Sequence, residues 1–404
     1  MNNLRDFQSQ HLFLLVGTNP LPNIVAAKLL RKPKGQVYFI HTDETLKIAQ
    51  RLSDSLGLNE TTRKFIQVEE SNIADISNKV TDICKNLSDQ EVGLNYTGGT
   101  KTMVVHSYRA IEKACREPVF SYLDARSMKM VVERRGQLCL DSSVSLSIKP
   151  KIQDLLALHG YILDEDPTWE PFQSDICREL ARIPCNELRA WCDNNLRQER
   201  DRKKKNATQL KSVSLPVNPP FDKVAHHWQG CQLLGDLAKC WGIRVDKLAD
   251  WMDGLWLEHY TLWALKQIAP RCQIHQSGLN IKPIEGEIHR GFELDVIAMR
   301  GYQLFALSCT TDLQKSRQKS KLFEAYIRAR QMGGDEARVA LVCCALKDKD
   351  DGSPDVIQNE IEETWDAKGK LRVFGAEHLP NLSAYLKDWF DSQPKMDGES
   401  EWKK

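Results

Sequence analysis

The sequence has no long apolar run and no strong excess of charge of either sign. Its longest apolar segments, residues 12–16 and 339–346, are far shorter than the roughly 20 residues that span a bilayer. The first residues lack the basic-then-apolar order of a secretory signal. These absences predict a protein that is neither membrane-spanning nor exported. Because 56 Lys and Arg face 55 Asp and Glu, any binding to nucleic acid must come from local patches.

The sequence also lacks metal-binding cysteine spacing. It has 12 cysteines, but no two are separated as in a C-x-x-C pair, which excludes zinc-ribbon spacing. Disulfide scaffolds belong to short secreted chains, whereas these cysteines are diluted over 404 residues. We therefore expect buried thiols in a reducing cytoplasm.

Length and composition predict several folded units. With 41% hydrophobic residues the chain is not disordered, and 404 residues suggest two or three domains. The prolines of residues 214–220 mark one boundary. We expect a first domain over 1–150, a helical connector over 151–220, a second domain over 221–390 and a polar tail over 391–404.

The first 150 residues alternate between strand-like and helix-like patterns. Such alternation, with helices of this length between strands, predicts an α/β fold with a doubly wound, mostly parallel sheet. The expected strands lie near residues 12–16, 36–40, 65–68, 91–94 and 119–123, and the expected helices near 24–30, 43–56 and 73–83. Ligands in such sheets bind where strands end and loops lead into helices.

Two of these loops carry candidate binding residues. The first strand ends at Gly17-Thr18-Asn19, and the fourth leads into Thr97-Gly98-Gly99-Thr100-Lys101. Glycines before a helix let backbone amides approach an anion, and the hydroxyls and the lysine add further donors. Neither loop is a Walker or a G-x-G-x-x-G motif. The alternative interpretation is a tight strand-to-helix turn without a ligand.

The segment 95–103, between a strand and a helix, resembles the signature of CRISPR-associated Rossmann-fold (CARF) sensor domains. The resemblance covers about residues 10–160. It implies a homodimer that binds a cyclic oligoadenylate, cyclic tetra-adenylate by family likeness, across the dimer axis. Its binding residues would be Gly17, Thr18 and Asn19 with Thr97, Gly98, Gly99, Thr100 and Lys101.

The connector contains a helical pattern over residues 175–202 that runs into a basic segment. Residues 197–205 hold six basic and two acidic side chains, the densest positive run in the chain. Two interpretations stay open, a solvated helix end and a contact with phosphates that is independent of base sequence.

The second domain begins with a predicted helix over residues 246–268. Trp251, Leu255, Leu262 and Leu265 form an apolar stripe on it, and Glu258 falls on the same stripe. A carboxylate that faces a core is costly unless something pairs with it. Glu258 is therefore expected in a buried salt bridge or as a metal ligand.

A β-hairpin is predicted from residue 292 to residue 309. With Arg300-Gly301 as its turn, Asp295 would pair with Ala306 and Glu293 with Ser308. Glu293, Asp295, Ser308 and Thr310 would then share one face of the sheet.

This half of the chain resembles PD-(D/E)XK nucleases, specifically those joined to CARF sensors. The resemblance implies that Glu258 and Asp295 hold Mg²⁺ or Mn²⁺, which would activate water at a phosphodiester. The family's Glu-x-Lys is here Ser308-Cys309-Thr310, which supplies neither charge. Either Lys321 and Glu324, on a basic helix over 314–332, supply the missing charges, or catalysis has been lost.

The leading hypothesis is a CRISPR defence effector in which cyclic oligoadenylate activates cleavage of nucleic acid, DNA or RNA, with little sequence preference. The catalytic set would be Glu258, Asp295, Ser308, Lys321 and Glu324. The alternative is a non-catalytic, ligand-responsive nucleic-acid-binding regulator. A third option is that the first domain itself slowly cleaves its cyclic ligand.

Overall fold

A computed structural model describes residues 3–198, 203–285, 290–347 and 352–393 of the chain. Most of the predicted polar tail and four residues of the basic segment 197–205 lie outside these ranges. Within them, no helix is both long enough and apolar enough to cross a membrane.

The first domain is a seven-stranded sheet with helices on both faces. Its strands are β1 (Ser9–Leu15), β2 (Arg31–His41), β3 (Arg63–Gln67), β4 (Val92–Asn95), β5 (Val119–Asp124), β6 (Lys129–Arg134) and β7 (Gln137–Ser143), and its helices are α1 (Leu21–Leu30), α2 (Leu46–Ser55), α3 (Ile73–Cys84) and α4 (Lys101–Ala114). The strand order is β3-β2-β1-β4-β5-β6-β7, with β1 to β5 parallel and the last two antiparallel. The predicted doubly wound α/β fold is confirmed.

The strand order reverses direction between β1 and β4, which are neighbours in the sheet. At such a crossing point the loops that follow the two strands diverge to opposite faces and leave a crevice. The loops concerned are residues 16–20 and 96–100, which we call the ligand loops. The topology therefore brings together the two segments that the sequence singled out.

The connector and the start of the second domain form a series of short elements. The connector contains α5 (Ile152–Leu158), β8 (Tyr161–Leu163), α6 (Ser174–Leu180), α7 (Cys185–Asn195) and α8 (Ala207–Lys211). The second domain begins with α9 (Asp222–Ala225), α10 (Leu234–Cys240) and α11 (Val245–Asp250). The single helix predicted over 175–202 is wrong, because the chain breaks between α6 and α7. Pro184 stands at that break with extended backbone, since a proline is incompatible with the middle of a helix.

The second domain has a mixed five-stranded sheet. Its strands are β9 (Ile274–Ile281), β12 (Leu294–Arg300), β13 (Gln303–Thr310), β14 (Arg338–Cys343) and β15 (Leu371–Phe374), and its helices are α12 (Trp256–Cys272), α13 (Lys315–Gly333), α14 (Pro354–Trp365) and α15 (Leu382–Ser392). The strand order is β15-β14-β13-β12-β9. A small separate sheet joins β8 to β10 (Pro283–Glu285) and β11 (Arg290–Gly291).

The helix predicted over 246–268 is present, but one turn changes its phase. Residues Trp251–Leu255 form a π-turn between α11 and α12. A π-turn holds an extra residue, so side chains after it are rotated relative to those before it. Trp251 is buried as expected, whereas Leu255 is 41% exposed instead of lying on the apolar stripe.

The β12–β13 hairpin is present with a corrected turn. Arg300 pairs with Gln303, so the turn residues are Gly301 and Tyr302, not Arg300 and Gly301. The register moves by two residues and brings Asp295 beside Ser308 rather than Ala306. A shift by two keeps every side chain on its face, so the predicted shared face is retained.

One hydrophobic core runs through both domains. It joins Leu14 and Ile24 of the first domain to Ile297 and Leu304 of the second. Another core fills the opposite face of the second sheet and is lined by the connector helices. The two sheets are therefore held in one packed unit.

Candidate functional site

The glycines of the two ligand loops allow these loops to touch. A Cβ atom on Gly17 would lie 3.1 Å from the backbone nitrogen of Gly99, and one on Gly98 would overlap the carbonyl of Leu15. Gly99 also has a positive φ of 75°, which side chains rarely adopt. The two loops thus form tight turns that pack against each other, a geometry compatible with both interpretations.

The hydroxyls of the second ligand loop fix its shape. Thr97 Oγ1 accepts a 2.8 Å hydrogen bond from the backbone N–H of Leu123 on β5. Thr100 is the N-cap of α4, and its hydroxyl accepts a 3.3 Å bond from the amide of Met103. These bonds hold the loop in one conformation.

The start of α4 and the loop after β1 supply the exposed donors. Lys101 is the first residue of α4 and is exposed, and the amides of a first helical turn have no partner inside the helix. Thr18 is exposed as well. Asn19 is half-buried, and its Oδ1 accepts a 3.0 Å bond from the amide of Leu21. The eight predicted ligand-binding residues therefore lie on two adjoining loops.

Asp295 is a buried acid of the second domain, and two hydrogen bonds hold its carboxylate in place. It lies near the start of β12 and is 7% exposed. Its Oδ2 accepts hydrogen bonds from the Ser308 hydroxyl, at 2.8 Å, and from the Cys309 amide, at 2.7 Å. Its Oδ1 lies 3.8 Å from Nζ of Lys321 on α13. One oxygen is thus held by the sheet, and the other faces the lysine.

These residues form what we call the acidic pocket, between the hairpin and α13. The polar side chains that line it are Glu293, Asp295, Ser308, Lys321 and Glu324. Lys321 and Glu324 therefore line the same pocket as Asp295 and Ser308, and their catalytic role stays a prediction. Thr310 is not among the lining residues, and its hydroxyl accepts a 3.2 Å bond from the amide of Asp312.

Glu258 on α12 belongs to the same charge cluster. Burial, together with the carboxylates of Asp295 and Glu293, raises its pKa to about 8, while Lys321 opposes them. No salt bridge with Glu258 occurs among the described residues, so the buried-salt-bridge interpretation gains no support. The sequence predicts Glu293 only on the shared face of the hairpin, and its effect on Glu258 depends on tertiary packing.

The acids fit a divalent cation by their chemistry and only partly by their geometry. Carboxylates that lie close together repel one another and are stabilised when a cation lies between them, and hard oxygens suit Mg²⁺ or Mn²⁺. In the described part of the chain, however, no three Asp, Glu, His or Cys side chains converge closely enough to form a ready metal site. The assignment of Glu258 and Asp295 as metal ligands therefore stays a prediction.

Much of the positive charge noted in the sequence is already paired. Lys319 lies 2.8 Å from Glu360, and Arg317 lies 2.9 Å from Asp312. In the connector, Arg197 bonds Asp253 at 2.8 Å, and Lys204 pairs with Asp250. For Arg197 and Lys204 the structural interpretation is therefore favoured over contact with nucleic acid.

The fold and these loops define a mixed α/β protein with a Rossmann-like domain at its N-terminal end and a further α/β region after it. Residues 12–147 match the family model described as the Card1 CARF domain. The match includes both ligand loops and ends before the acidic pocket.

Two solved structures align along nearly the whole chain. One is Can2 from Sulfobacillus thermosulfidooxidans in complex with cyclic tetra-adenylate, with 16% identity, a TM-score of 0.69 and coverage of 96% of this chain and 99% of that one. The other is the protein VC1899 from Vibrio cholerae, with 19% identity, a TM-score of 0.67 and coverage of 95% and 98%. No curated protein matches the sequence significantly. At these identities the alignments establish the fold.

Proposed function

We propose that this chain is a cytoplasmic CRISPR defence effector whose CARF domain binds a cyclic oligoadenylate and thereby activates a nuclease-like second domain. One observation carries the proposal: the two ligand loops meet at the β1/β4 crossing point inside the segment that matches the Card1 CARF domain. Cyclic tetra-adenylate is the proposed activator, since Can2, which shares the fold along the whole chain, is bound to it.

The activator would be held by backbone amides and by a few side chains. Gly17, Gly98 and Gly99 bring backbone to the crevice, and Lys101 adds a cation beside the start of α4. A homodimer would place two copies of these loops around one cyclic ligand. Exposed apolar residues next to the loops support such a dimer, namely Val105 on α4 and Tyr122 on β5.

The second domain would hydrolyse phosphodiesters in DNA or RNA with little sequence preference. Glu258 and Asp295 would hold Mg²⁺ or Mn²⁺, which when bound polarises the phosphate and lowers the pKa of water. Ser308 orients Asp295 by its hydrogen bond to Oδ2. Lys321 would stabilise the negative charge that develops on the phosphate, and Glu324 would accept the proton of the attacking water.

A plasmid and a single-stranded RNA, each with and without cyclic tetra-adenylate in Mg²⁺ or Mn²⁺, test this function. We expect ligand-dependent cutting that disappears in Asp295→Ala and is reduced at least about a hundredfold in Lys321→Ala and in Glu324→Ala. Near-normal cutting in both of the last two would exclude them from catalysis.

A second function is favoured by a specific observation. Ser308 and Thr310 replace the charged pair of the nuclease family, and among the described residues no three metal-ligating side chains converge. The chain would then be a ligand-responsive nucleic-acid-binding regulator. Tight nucleic-acid binding that responds to cyclic tetra-adenylate, without cutting in either metal, would select this function. Slow loss of the cyclic ligand itself, followed by chromatography, would reveal the third option.

A further inference from the structure

The two domains touch through a glycine at the end of α13. Gly334 caps this helix with a positive φ of 61°, and a Cβ atom there would overlap Nδ2 of Asn19 in the first ligand loop. The neighbouring Gly333 is equally confined, since its Cβ would lie 2.9 Å from Cβ of Leu304. Asn19 therefore rests directly on the backbone of the second domain.

A second glycine makes the same kind of contact at the β12–β13 hairpin. Gly301 lies in its turn with a φ of 58°, and a Cβ atom there would overlap the backbone carbonyl of Ser145. Ser145 follows β7, the last strand of the first domain. Both contacts leave no space for a side chain, so the two domains are packed directly against each other at these points.

The elements that these glycines end are the ones that build the acidic pocket. The hairpin carries Asp295 and Ser308, and α13 carries Lys321 and Glu324. Lys321 lies 13 residues from Gly334, which is about 20 Å along a helix. Asp295 lies six residues from Gly301, again about 20 Å along a strand. The helix and the hairpin thus each carry pocket residues in their middle part and contact the first domain at one end.

We infer that Asn19 and Gly334 are positioning residues that set the placement of Lys321 relative to Asp295 according to the state of the ligand loops. A phosphate that binds beside Asn19 displaces the side-chain amide of this residue. Because the amide is packed directly against Gly334, the end of α13 moves with it, and α13 moves as a rigid body. The hairpin stays anchored at Gly301, so the distance across the pocket changes. This inference rests on the proposed function and names the route by which it is regulated within one chain.

The thermodynamic coupling between ligand binding and nucleic-acid binding gives a test of this inference, with a matched control variant. Ligand binding and nucleic-acid binding in coupled sites must change each other's affinity by the same factor. Gly334→Ala perturbs the contact with Asn19, whereas Gly369→Ala changes another glycine of positive φ, 76°, with no atom within 4 Å of its Cβ. Both variants place a side chain at a positive φ, and only the first lies between the domains.

The full-length protein is titrated with cyclic tetra-adenylate in a calorimeter, with and without a single-stranded oligonucleotide. We expect the oligonucleotide to tighten ligand binding about tenfold in the wild-type protein and in Gly369→Ala, and by less than about twofold in Gly334→Ala. Ligand activation of cutting should be lost in parallel. Coupling that persists unchanged in Gly334→Ala overturns the inference.

Hydrogen exchange of the wild-type protein tests the same claim without any variant, in case Gly334→Ala fails to fold. Added cyclic tetra-adenylate should slow exchange at residues 97–101 and change it at the C-terminal turns of α13. Protection of the ligand loop with unchanged α13 would overturn the inference and leave the proposed function standing. No heat and no protection at residues 97–101 would instead refute the proposed function, and the inference with it.

Discussion

Ser308 donates a 2.8 Å hydrogen bond to Oδ2 of Asp295, the same oxygen that receives the Cys309 amide. This pairing gives the serine a definite task, which is to hold one oxygen of the carboxylate. The other oxygen of Asp295 lies 3.8 Å from Nζ of Lys321. The orientation of the acid is therefore fixed by β13.

Removal of this hydroxyl should reduce the proposed cutting activity of the second domain without changing ligand binding by the first domain. In Ser308→Ala, Asp295 keeps only the amide donor, and the loss of a bond to a buried charged group costs roughly 1.5–3 kcal/mol. We expect cutting to fall by about tenfold or more, with unchanged affinity for cyclic tetra-adenylate in calorimetry. Ser308→Thr keeps a hydroxyl and should retain most of the activity. Equal rates in Ser308→Ala and wild type would show that the bond is dispensable.

Substitution of the neighbouring residues Thr100 and Lys101 should affect two different properties, the stability of the fold and the affinity for the ligand. Thr100 caps α4, and loss of a cap residue costs about 1 kcal/mol of unfolding free energy. Lys101 is exposed and should contribute to ligand affinity with a dependence on salt. Urea unfolding and calorimetry of Thr100→Ala and Lys101→Ala measure both quantities. A stability loss in Lys101→Ala, or equal salt dependence in Lys101→Ala and wild type, would contradict these roles.

Glu336 should make stability depend on pH. It is 1% exposed, and neither carboxylate oxygen has a hydrogen-bond partner among the described residues. Burial raises its pKa to about 7, with Asp335 acting in the same direction and Arg338 and Lys370 opposing it. Because the unfolded carboxyl ionises near 4.5, the folded state holds the extra proton between these values. Stability should therefore fall as pH rises from about 4.5 to 7.

Glu336→Gln tests this dependence, since glutamine needs no proton. Relative to the wild type, its unfolding free energy should rise between pH 5 and pH 8 by about 2–3 kcal/mol, from about 1.4 kcal/mol for each pH unit of the window. Denaturant titrations at both values measure the difference. A constant difference between the two proteins at pH 5 and pH 8 would show that Glu336 does not titrate in this window.

Glu258→Gln should stabilise the metal-free protein while abolishing cutting. The carboxylate is unfavourable where it stands, because burial and the acids Asp295 and Glu293 all raise its pKa. Glutamine removes that penalty, which we expect to be worth roughly 1–3 kcal/mol in unfolding with a chelator present. Glu258→Ala is the control, since it also removes the charge but leaves a cavity. A less stable Glu258→Gln would mean that the carboxylate has a stabilising partner.

The sequence was sufficient for the first domain because local pattern and topology agree there. Short apolar strands alternate with amphipathic helices, and in such sheets the loop positions follow from strand ends. The loops that carry the glycines, the threonines and Lys101 follow directly from these strand ends. What the pattern could not show was that Thr97 and Thr100 already bond to Leu123 and Met103.

The second domain was harder because small local choices have distant effects. The sequence predicts the turn at Arg300-Gly301, whereas the structure has it at Gly301-Tyr302. The predicted register therefore did not pair Asp295 with Ser308, although it placed both side chains on the same face of the sheet. A π-turn rotated Leu255 out of the apolar stripe, and periodicity analysis assumes a constant period. Lys321 and Glu324 lie far from Asp295 in sequence, so only tertiary packing could show that they share a pocket.

The apolar core that continues from one sheet into the other constrains how this protein can be taken apart. Ile297 and Leu304 pack in the same cluster as Leu14 and Ile24. Cleavage of the chain near residue 150 would therefore expose a large apolar surface on each of the two fragments. Such fragments should aggregate when produced separately, and heating the intact chain should melt it in a single step. Isolated halves are thus poor substitutes for the whole chain in any binding experiment.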